Sequence, residues 1–578
     1  MADHAPSSFL NEPPYEPLAF ESGAAGGRVS GGRGGPGAWL VLAIALPFVL
    51  PAAVIAAHLF VPPSPLWRHL IETVLWDYVT NTALLALLVG LGVAAIGTGT
   101  AWLVTLCRFP GRGFFEWTLV MPLAVPGYVM AYAYTDFLNF SGPVQTALRE
   151  TFGWRARDYW FPEVHSVGGA AAMLMLVLYP YVYLLARTAF LKQSVCALEV
   201  SRTLGCGAWA SFWRVALPMA RPALVGGATL ALMETLADFG TVQYFGVKTF
   251  TTGIYRAWFS FGDRVASAQL ATALLGFVAL VLLLERLSRG ERRFHETSGR
   301  YRQLPAYRLA GWRGAGAFLA CLLPLLLGFL LPTGILLKLA LEHGDQAFGS
   351  HYFELVRNSV TLAGIAAVLA VVLALGLGYG ARLRPGPTSR LANRIAGLGY
   401  AVPGTVIAVG VLLPFAWFDR TLDAWTRETL GFSTGLLLTG GILALVFAYL
   451  VRFLAVALNN VEAGLSKIRP SMDDAARCLG RGPFGTLREI HAPLLVGSLL
   501  TAALTVFVDV MKELPATLLM RPFNFDTLAV QANNFASDER LSQAATPSLT
   551  IVAVGLLPVI LLSRAIARSR PGHAEAAD

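Results

Sequence analysis

Charge is the scarcest commodity in this chain of 578 residues: only 14% are Asp, Glu, Lys or Arg. Soluble proteins carry roughly a quarter. So little polar surface cannot cover the several soluble domains such a length would form, which excludes a cytosolic enzyme and a disordered hub. Cysteine is nearly absent too. The five (Cys107, Cys196, Cys206, Cys321, Cys478) form no CxxC pair, which excludes a secreted disulfide scaffold and reads as free, reduced thiols. The nine His lack metal-ligand spacing, and neither HExxH nor GxSxG occurs. There is no G-x-x-x-x-G-K-[ST], so nothing here cradles the phosphates of ATP. Gly32-Arg33-Gly34-Gly35-Pro36-Gly37 fits GxGxxG, but no strand precedes it and it is not read as a nucleotide site. The start of the chain also lacks the basic, short-apolar, small-residue pattern of a removable signal peptide.

What the sequence has is apolar length: 55% hydrophobic residues and a mean hydropathy of +0.59. A bilayer core of roughly 30 Å takes about 20 apolar residues as a helix. Twelve such runs are read, at 38–60, 80–106, 117–137, 168–190, 221–243, 266–284, 315–340, 358–381, 394–418, 434–456, 494–520 and 547–566. With the N-terminus cytoplasmic, 30 of the 44 Lys and Arg fall on the inside, 13 outside, and Lys512 within a span. That bias predicts both termini in the cytoplasm. The net charge of +9 is therefore a topology signal, with no call for nucleic acid.

The sequence repeats. Asn81 and Asn358, and Ala124-Val125-Pro126-Gly127 and Ala401-Val402-Pro403-Gly404, lie 277 residues apart. Gly205 and Gly480, Pro218 and Pro493, and Phe250 and Phe525 lie 275 apart. Six spans per copy is an even number, so the copies share one orientation and are related by an axis along the membrane normal. The expected organisation is a disordered tail at 1–37, a six-helix domain at 38–284, a basic linker at 285–313, a second six-helix domain at 314–566 and a tail at 567–578.

In each copy the loop between the fourth and fifth spans has one design. The first runs Glu199-Val200-Ser201-Arg202-Thr203-Leu204-Gly205, then nine residues, then Val215-Ala216-Leu217-Pro218; the second runs Asp474-Ala475-Ala476-Arg477-Cys478-Leu479-Gly480, nine residues, then Ile490-His491-Ala492-Pro493. An acid opening a short helix complements its dipole, Gly ends the helix in a left-handed turn, and Pro leads into the next span. The product is a helix–turn–helix suited to a groove of another protein.

Two spans hold charge in their cores: the fifth with Glu234 and Asp238, the eleventh with Asp509, Lys512 and Glu513. The acids are repeat-equivalent and spaced i, i+4, which places each pair on one helical face. Lys512, whose counterpart is Ala237, can neutralise Asp509 in the second copy only. A carboxylate in hydrocarbon costs roughly 2.5–3.5 kcal/mol, so these faces belong against an interior or aqueous path. Two readings stay open: hard oxygen ligands lining a path for a hard cation such as ferric iron, or a gate and structural role at kinked helices.

The paired loops resemble the E-A-A-x3-G-x9-I-x-L-P loop of ABC importer permeases, with Val200 and Ser201 in place of two Ala, Asp474 in place of Glu and Ala492 in place of Leu. The stretch from Asp509 to Ala529, with Ala237-Asp238-Phe239-Gly240-Thr241, is similar to the fused permeases of ferric-iron importers. The resemblance covers nearly the whole chain after its tail. It implies an all-α integral membrane fold of twelve helices in two parallel six-helix repeats (type I), in a bacterial inner membrane. It further implies two cytoplasmic ATPase subunits on the loops, a periplasmic binding protein outside, and inward movement of Fe(III) by alternating access. This chain would then be no enzyme and hold no cofactor, ATP and Mg²⁺ belonging to the partner subunits. The alternatives are a thiamine, phosphonate or polyamine permease of the same architecture, or a 6+6 proton- or sodium-coupled carrier using the acids as ion sites.

Overall fold

The structure is a computed structural model that describes residues 36–155, 158–192, 200–201, 203–289, 307–343 and 349–568. Among these, eleven helices are long and apolar enough to cross a membrane: Trp39–Phe60, Leu75–Leu106, Val167–Leu191, Trp209–Ala237, Arg264–Ser288, Trp312–Glu342, His351–Leu383, Gly404–Leu430, Leu443–Leu465, Pro483–Met511 and Leu541–Leu561. A twelfth span, third in order, is a pair bent by 93°, Arg112–Ala124 with Gly127–Phe152. The second span leaves Leu84, Leu87 and Leu91 exposed on one face at helical spacing, a surface for lipid rather than water.

The third and ninth spans differ from expectation for one reason. Apolar length predicts each run to be continuous through Ala-Val-Pro-Gly, yet the chain breaks there. Pro126 is extended (φ −62°, ψ 147°), as is Pro403 (φ −56°, ψ 143°). Proline donates no backbone hydrogen bond and pushes the residue before it out of the helical region. Val125 (ψ 117°) and Val402 (ψ 126°) are accordingly extended. The ninth run, 394–418, thus merges the end of a short helix, Pro387–Leu398, with the start of Gly404–Leu430.

Pro218 and Pro493 do the opposite. They lie inside the continuous helices Trp209–Ala237 and Pro483–Met511, which begin well before the expected residues 221 and 494. In both copies a π-helical turn, Phe212–Ala216 or Leu487–His491, sits just ahead of the proline. It re-routes the ladder: Leu217 N–H donates to Phe212 O and Ala492 N–H to Leu487 O. The span therefore continues unbroken into the loop that precedes it.

Each half has a three-helix centre. Spans two, four and five pack on one another in the first half, and eight, ten and eleven in the second. The halves exchange their first spans. Within the first span, Leu50–Ala57 lies against Gly404–Leu430, and Phe48 stacks on Phe447 at 5.9 Å. The seventh span reaches the other way, with Phe318 edge-on to Phe115 and Tyr134 donating to Leu327 O at 2.7 Å. The sequence halves are consequently not separate bodies. The linker joins in: Tyr307–Arg308 pairs in parallel with Cys107–Arg108, between spans two and three.

The repeated asparagines have matching tasks. Asn81 Nδ2 donates to Lys248 O at 3.0 Å and Asn358 Nδ2 to Asp526 O at 3.1 Å, each fixing the approach to a return helix, Phe250–Phe259 or Leu528–Ser537. These helices correct the register. Thr249 and Thr527 cap them, so Phe250 corresponds to Leu528, not Phe525, and the offset there is 278. Three extra residues lie in the loop of the second copy, where Asn524 adopts φ 59°.

Candidate functional site

Glu234, Asp238, Asp509, Lys512 and Glu513 all line one cavity of about 120 Å³ between the halves. Tyr128 and Tyr181 from the first half, and Tyr400 and Arg452 from the second, complete its polar wall. The acids do not share helical faces in pairs. The fifth span ends at Ala237 and the eleventh at Met511, leaving Asp238 and Glu513 past the helix ends. Each instead lies two residues ahead of the next short helix, Gly240–Tyr244 or Pro515–Met520. Asp238 accepts from Thr241 Oγ1 at 2.9 Å and from Val242 N–H at 3.1 Å. Glu513 accepts from Ala516 N–H at 2.9 Å, Thr517 N–H at 3.0 Å and Thr517 Oγ1 at 2.5 Å. One acid of each pair thus satisfies the donors of a helix start, while the other, Glu234 or Asp509, lies in the last turn of its span.

The cations complete the arrangement. Lys512 Nζ lies 3.0 Å from Asp509 Oδ1, within one half. Arg452 bridges the two: Nη1 is 3.3 Å from Glu513 Oε1, and Nη2 is 3.5 Å from Glu234 Oε2 of the first half. Glu513 and Arg452 have side chains only 2% and 10% exposed, so each depends on the other for charge compensation. A tenth run ending at 456 places Arg452 beside a loop; the helix instead extends to Leu465 and buries it. A charge in the middle of an apolar helix was the available signal.

The Gly of each Ala-Val-Pro-Gly gives these groups their room. A Cβ on Gly404 would lie 2.5 Å from Arg452 Nη1 and 2.8 Å from Glu513 Oε1, and one on Gly127 would lie 2.8 Å from Thr241 Oγ1. The repeated motif therefore does two things: Pro breaks the helix, and Gly lets the capping acid of the neighbouring break come close. Among the described residues no group of three or more His, Cys, Asp or Glu is placed to hold a metal ion.

The loops stand at one end of the bundle. In the second, a helix Pro470–Cys478 ends with Gly480 at φ 75°, Gly480 N–H on Arg477 O and Arg481 N–H on Ala476 O. In the first, Gly205 has φ 79° and Cys206 N–H reaches Ser201 O at 2.9 Å. These are left-handed glycine caps of the same kind. Leu204 and Leu479, just before them, are 77% and 80% exposed. One detail differs from expectation: the second helix begins at Pro470, so Asp473 and not Asp474 lies in its first turn. Asp474 and Ala475 face outward, whereas Ala476 is buried. Glu199 lies outside the described residues. Cys107, Cys206, Cys321 and Cys478 are free, and burial pushes the Cys107 thiol up to about 11.

Two stretches, residues 94–290 and 366–570, match the family model described as the binding-protein-dependent transport system inner membrane component. The chain belongs to that family. The permease carries the domain twice, in register with the two halves, and has the all-α type I ABC permease fold. It is 26% identical over 495 residues to the Fe(3+)-transport system permease protein FbpB 2 of Haemophilus influenzae, covering 84% of this chain and 90% of that protein. It is 26% identical to the probable ABC transporter permease protein y4fN of Sinorhizobium fredii over 86% of this chain and 88% of that one. The molybdenum transport system permease protein ModB of Escherichia coli matches over 37% of this chain and 95% of its own length, at 26% identity. The permease is thus a fused form, two such units in one polypeptide.

Proposed function

We propose that this permease moves ferric iron inward, from a periplasmic binding protein to the cytoplasm, by alternating access between its two halves. The observation that carries the reading is the charged cavity where the halves meet, with the duplicated loops at one end of the same spans. The loops, with both termini, face the cytoplasm, because the basic residues concentrate there. Each docks one ATPase subunit, through Glu199, Gly205 and Pro218 in the first loop and Asp474, Ala475, Ala476, Gly480 and Pro493 in the second. Because the fifth and eleventh spans run unbroken from these loops to Glu234 and Asp509, a displacement at the loop reaches the cavity as a tilt of one rigid rod.

In this reading Arg452 and Glu234 form the closed gate: a cation on one half held by an acid on the other. Separating the halves parts the two charges, and water or cargo must then take the place of the lost partner. Glu513 and Asp238 stay fixed as helix caps, while Glu234, Asp509 and Lys512 are the charges that meet the cargo. Ferric iron rather than another substrate is supported by the permeases named for Fe(3+) that match along most of the chain, and by carboxylate and phenol oxygens lining the cavity. Vesicles holding the permease with its ATPase subunits and an Fe(3+)-loaded binding protein are expected to accumulate iron when ATP is supplied. Accumulation of molybdate but not iron, with a molybdate-loaded binding protein, would replace the substrate and keep the transport reading.

A further inference from the structure

The second docking loop is held to its half by a charged cluster. At the second loop, Asp473 in the first turn of Pro470–Cys478 is the meeting point of four elements. Arg382, at the end of the eighth span, donates to Asp473 Oδ2 through Nε at 2.9 Å and Nη2 at 2.7 Å. The same guanidinium donates to Leu465 O at 2.7 Å and Ile468 O at 2.9 Å, closing the carboxyl end of the tenth span. His491, fully buried at the end of the π-helical turn of the eleventh span, has Nε2 2.6 Å from Asp473 Oδ1. Tyr379 packs edge-on against the His491 ring at 5.2 Å and donates to Pro483 O at 2.7 Å, at the start of that span.

The first half has none of these charges at the matching positions. The offset of 277 puts Trp102 and Thr105 at Tyr379 and Arg382, and the offset of 275 puts Leu198 and Ala216 at Asp473 and His491. Trp102 instead packs against Phe212 at 4.8 Å, Phe190 at 5.7 Å and Tyr307 of the linker strand at 6.2 Å. The first loop is tied to span five by a buried hydrogen bond between the Ser201 and Ser211 hydroxyls at 2.9 Å. A bond between neutral groups is about half as strong as the charge-assisted bonds of Arg382 and Asp473.

We propose that Arg382, Asp473 and His491 are positioning residues that lock the second loop to spans eight, ten and eleven. The inference rests on the reading of the loops as ATPase docking sites. Half-buried Asp473 accepts from Arg382 of span eight and lies against His491 of span eleven, and Arg382 in turn closes the end of span ten. The second loop therefore cannot shift without carrying its spans with it.

The test is iron taken up per ATP hydrolysed, in vesicles holding the permease, its ATPase subunits and the binding protein. Asp473→Asn and Arg382→Ala are expected to keep ATPase binding and hydrolysis while uptake per ATP falls about tenfold, the loss of a charged hydrogen bond. Thr105→Ala, the first-half counterpart of Arg382→Ala, is expected to change nothing. Wild-type uptake per ATP in both second-half variants would overturn the proposal, whereas failure of the unaltered permease to bind the ATPase would overturn the docking reading instead. A measurement on the unaltered cluster covers the case in which the variants do not fold. Spin labels on exposed Cys478 and on Val372→Cys of span eight, the other cysteines replaced, are expected to keep their separation when ATP binds; a shift would equally overturn the lock.

Discussion

Arg452→Ala is expected to destabilise the permease by about 3–5 kcal/mol, the usual result of leaving a buried charge without its partner. Two carboxylates lose their cation at once: Glu513, whose side chain is almost wholly enclosed, and Glu234 across the interface. Glu513 has backbone donors from Ala516 and Thr517 that remain, so Pro515–Met520 keeps its cap while the acid loses charge compensation. The melting temperature of the solubilised protein should fall by several degrees, and Arg452→Ala with Glu234→Gln and Glu513→Gln should recover most of it. Both proteins should lose coupled uptake, because neither retains the contact that joins the halves. Gly404→Ala should reproduce part of the effect with the charges intact, by driving a methyl group into the Arg452–Glu513 contact. An Arg452→Ala protein that melts and transports like the parent would remove the pair from any account of the gate.

Replacing Gly205 and Gly480 together by Val is the second large effect. Both glycines sit at positive φ, where an L side chain costs about 1–2 kcal/mol. Among the described residues, leaving out the adjoining ones in the chain, no atom lies within 4 Å of a Cβ at either position, so the cost is confined to the turn and the spans should still insert. The caps would open, turning the exposed Leu204 and Leu479 away from the surface they present. ATP-dependent uptake is expected to drop to background while the amount of permease in the membrane stays unchanged. Undiminished uptake in the double variant would contradict docking at these turns.

Much of this arrangement was legible along the chain, because it depends on local composition. Apolar length gave the spans, and the glycine of each loop foretold its left-handed turn. Repeat-equivalent acids marked the place where the cavity lies. What stayed hidden depends on the third dimension or on two rules in competition. Pro126 and Pro403 lie in apolar runs that membrane helices often tolerate, as Pro218 and Pro493 are in fact tolerated, by π-helical turns. Local pattern does not say which prolines break the helix. Helical periodicity put Asp238 beside Glu234, but Asp238 has left the helix to cap the next. Arg452 and Asp473 look like ordinary charges near loops until the fold brings in partners 61 and 91 residues away. The exchange of first spans between halves has no local signature at all.

The central claim is that ATP, hydrolysed on partner subunits at the loop-bearing end, drives cargo through the cavity between the halves. Uptake into reconstituted vesicles tests it most directly, with the energy source as the variable. The account predicts iron accumulation with ATP, ATPase subunits and loaded binding protein in the absence of any ion gradient, and none from the permease alone. Accumulation by the permease alone, driven by a proton or sodium gradient, would contradict it.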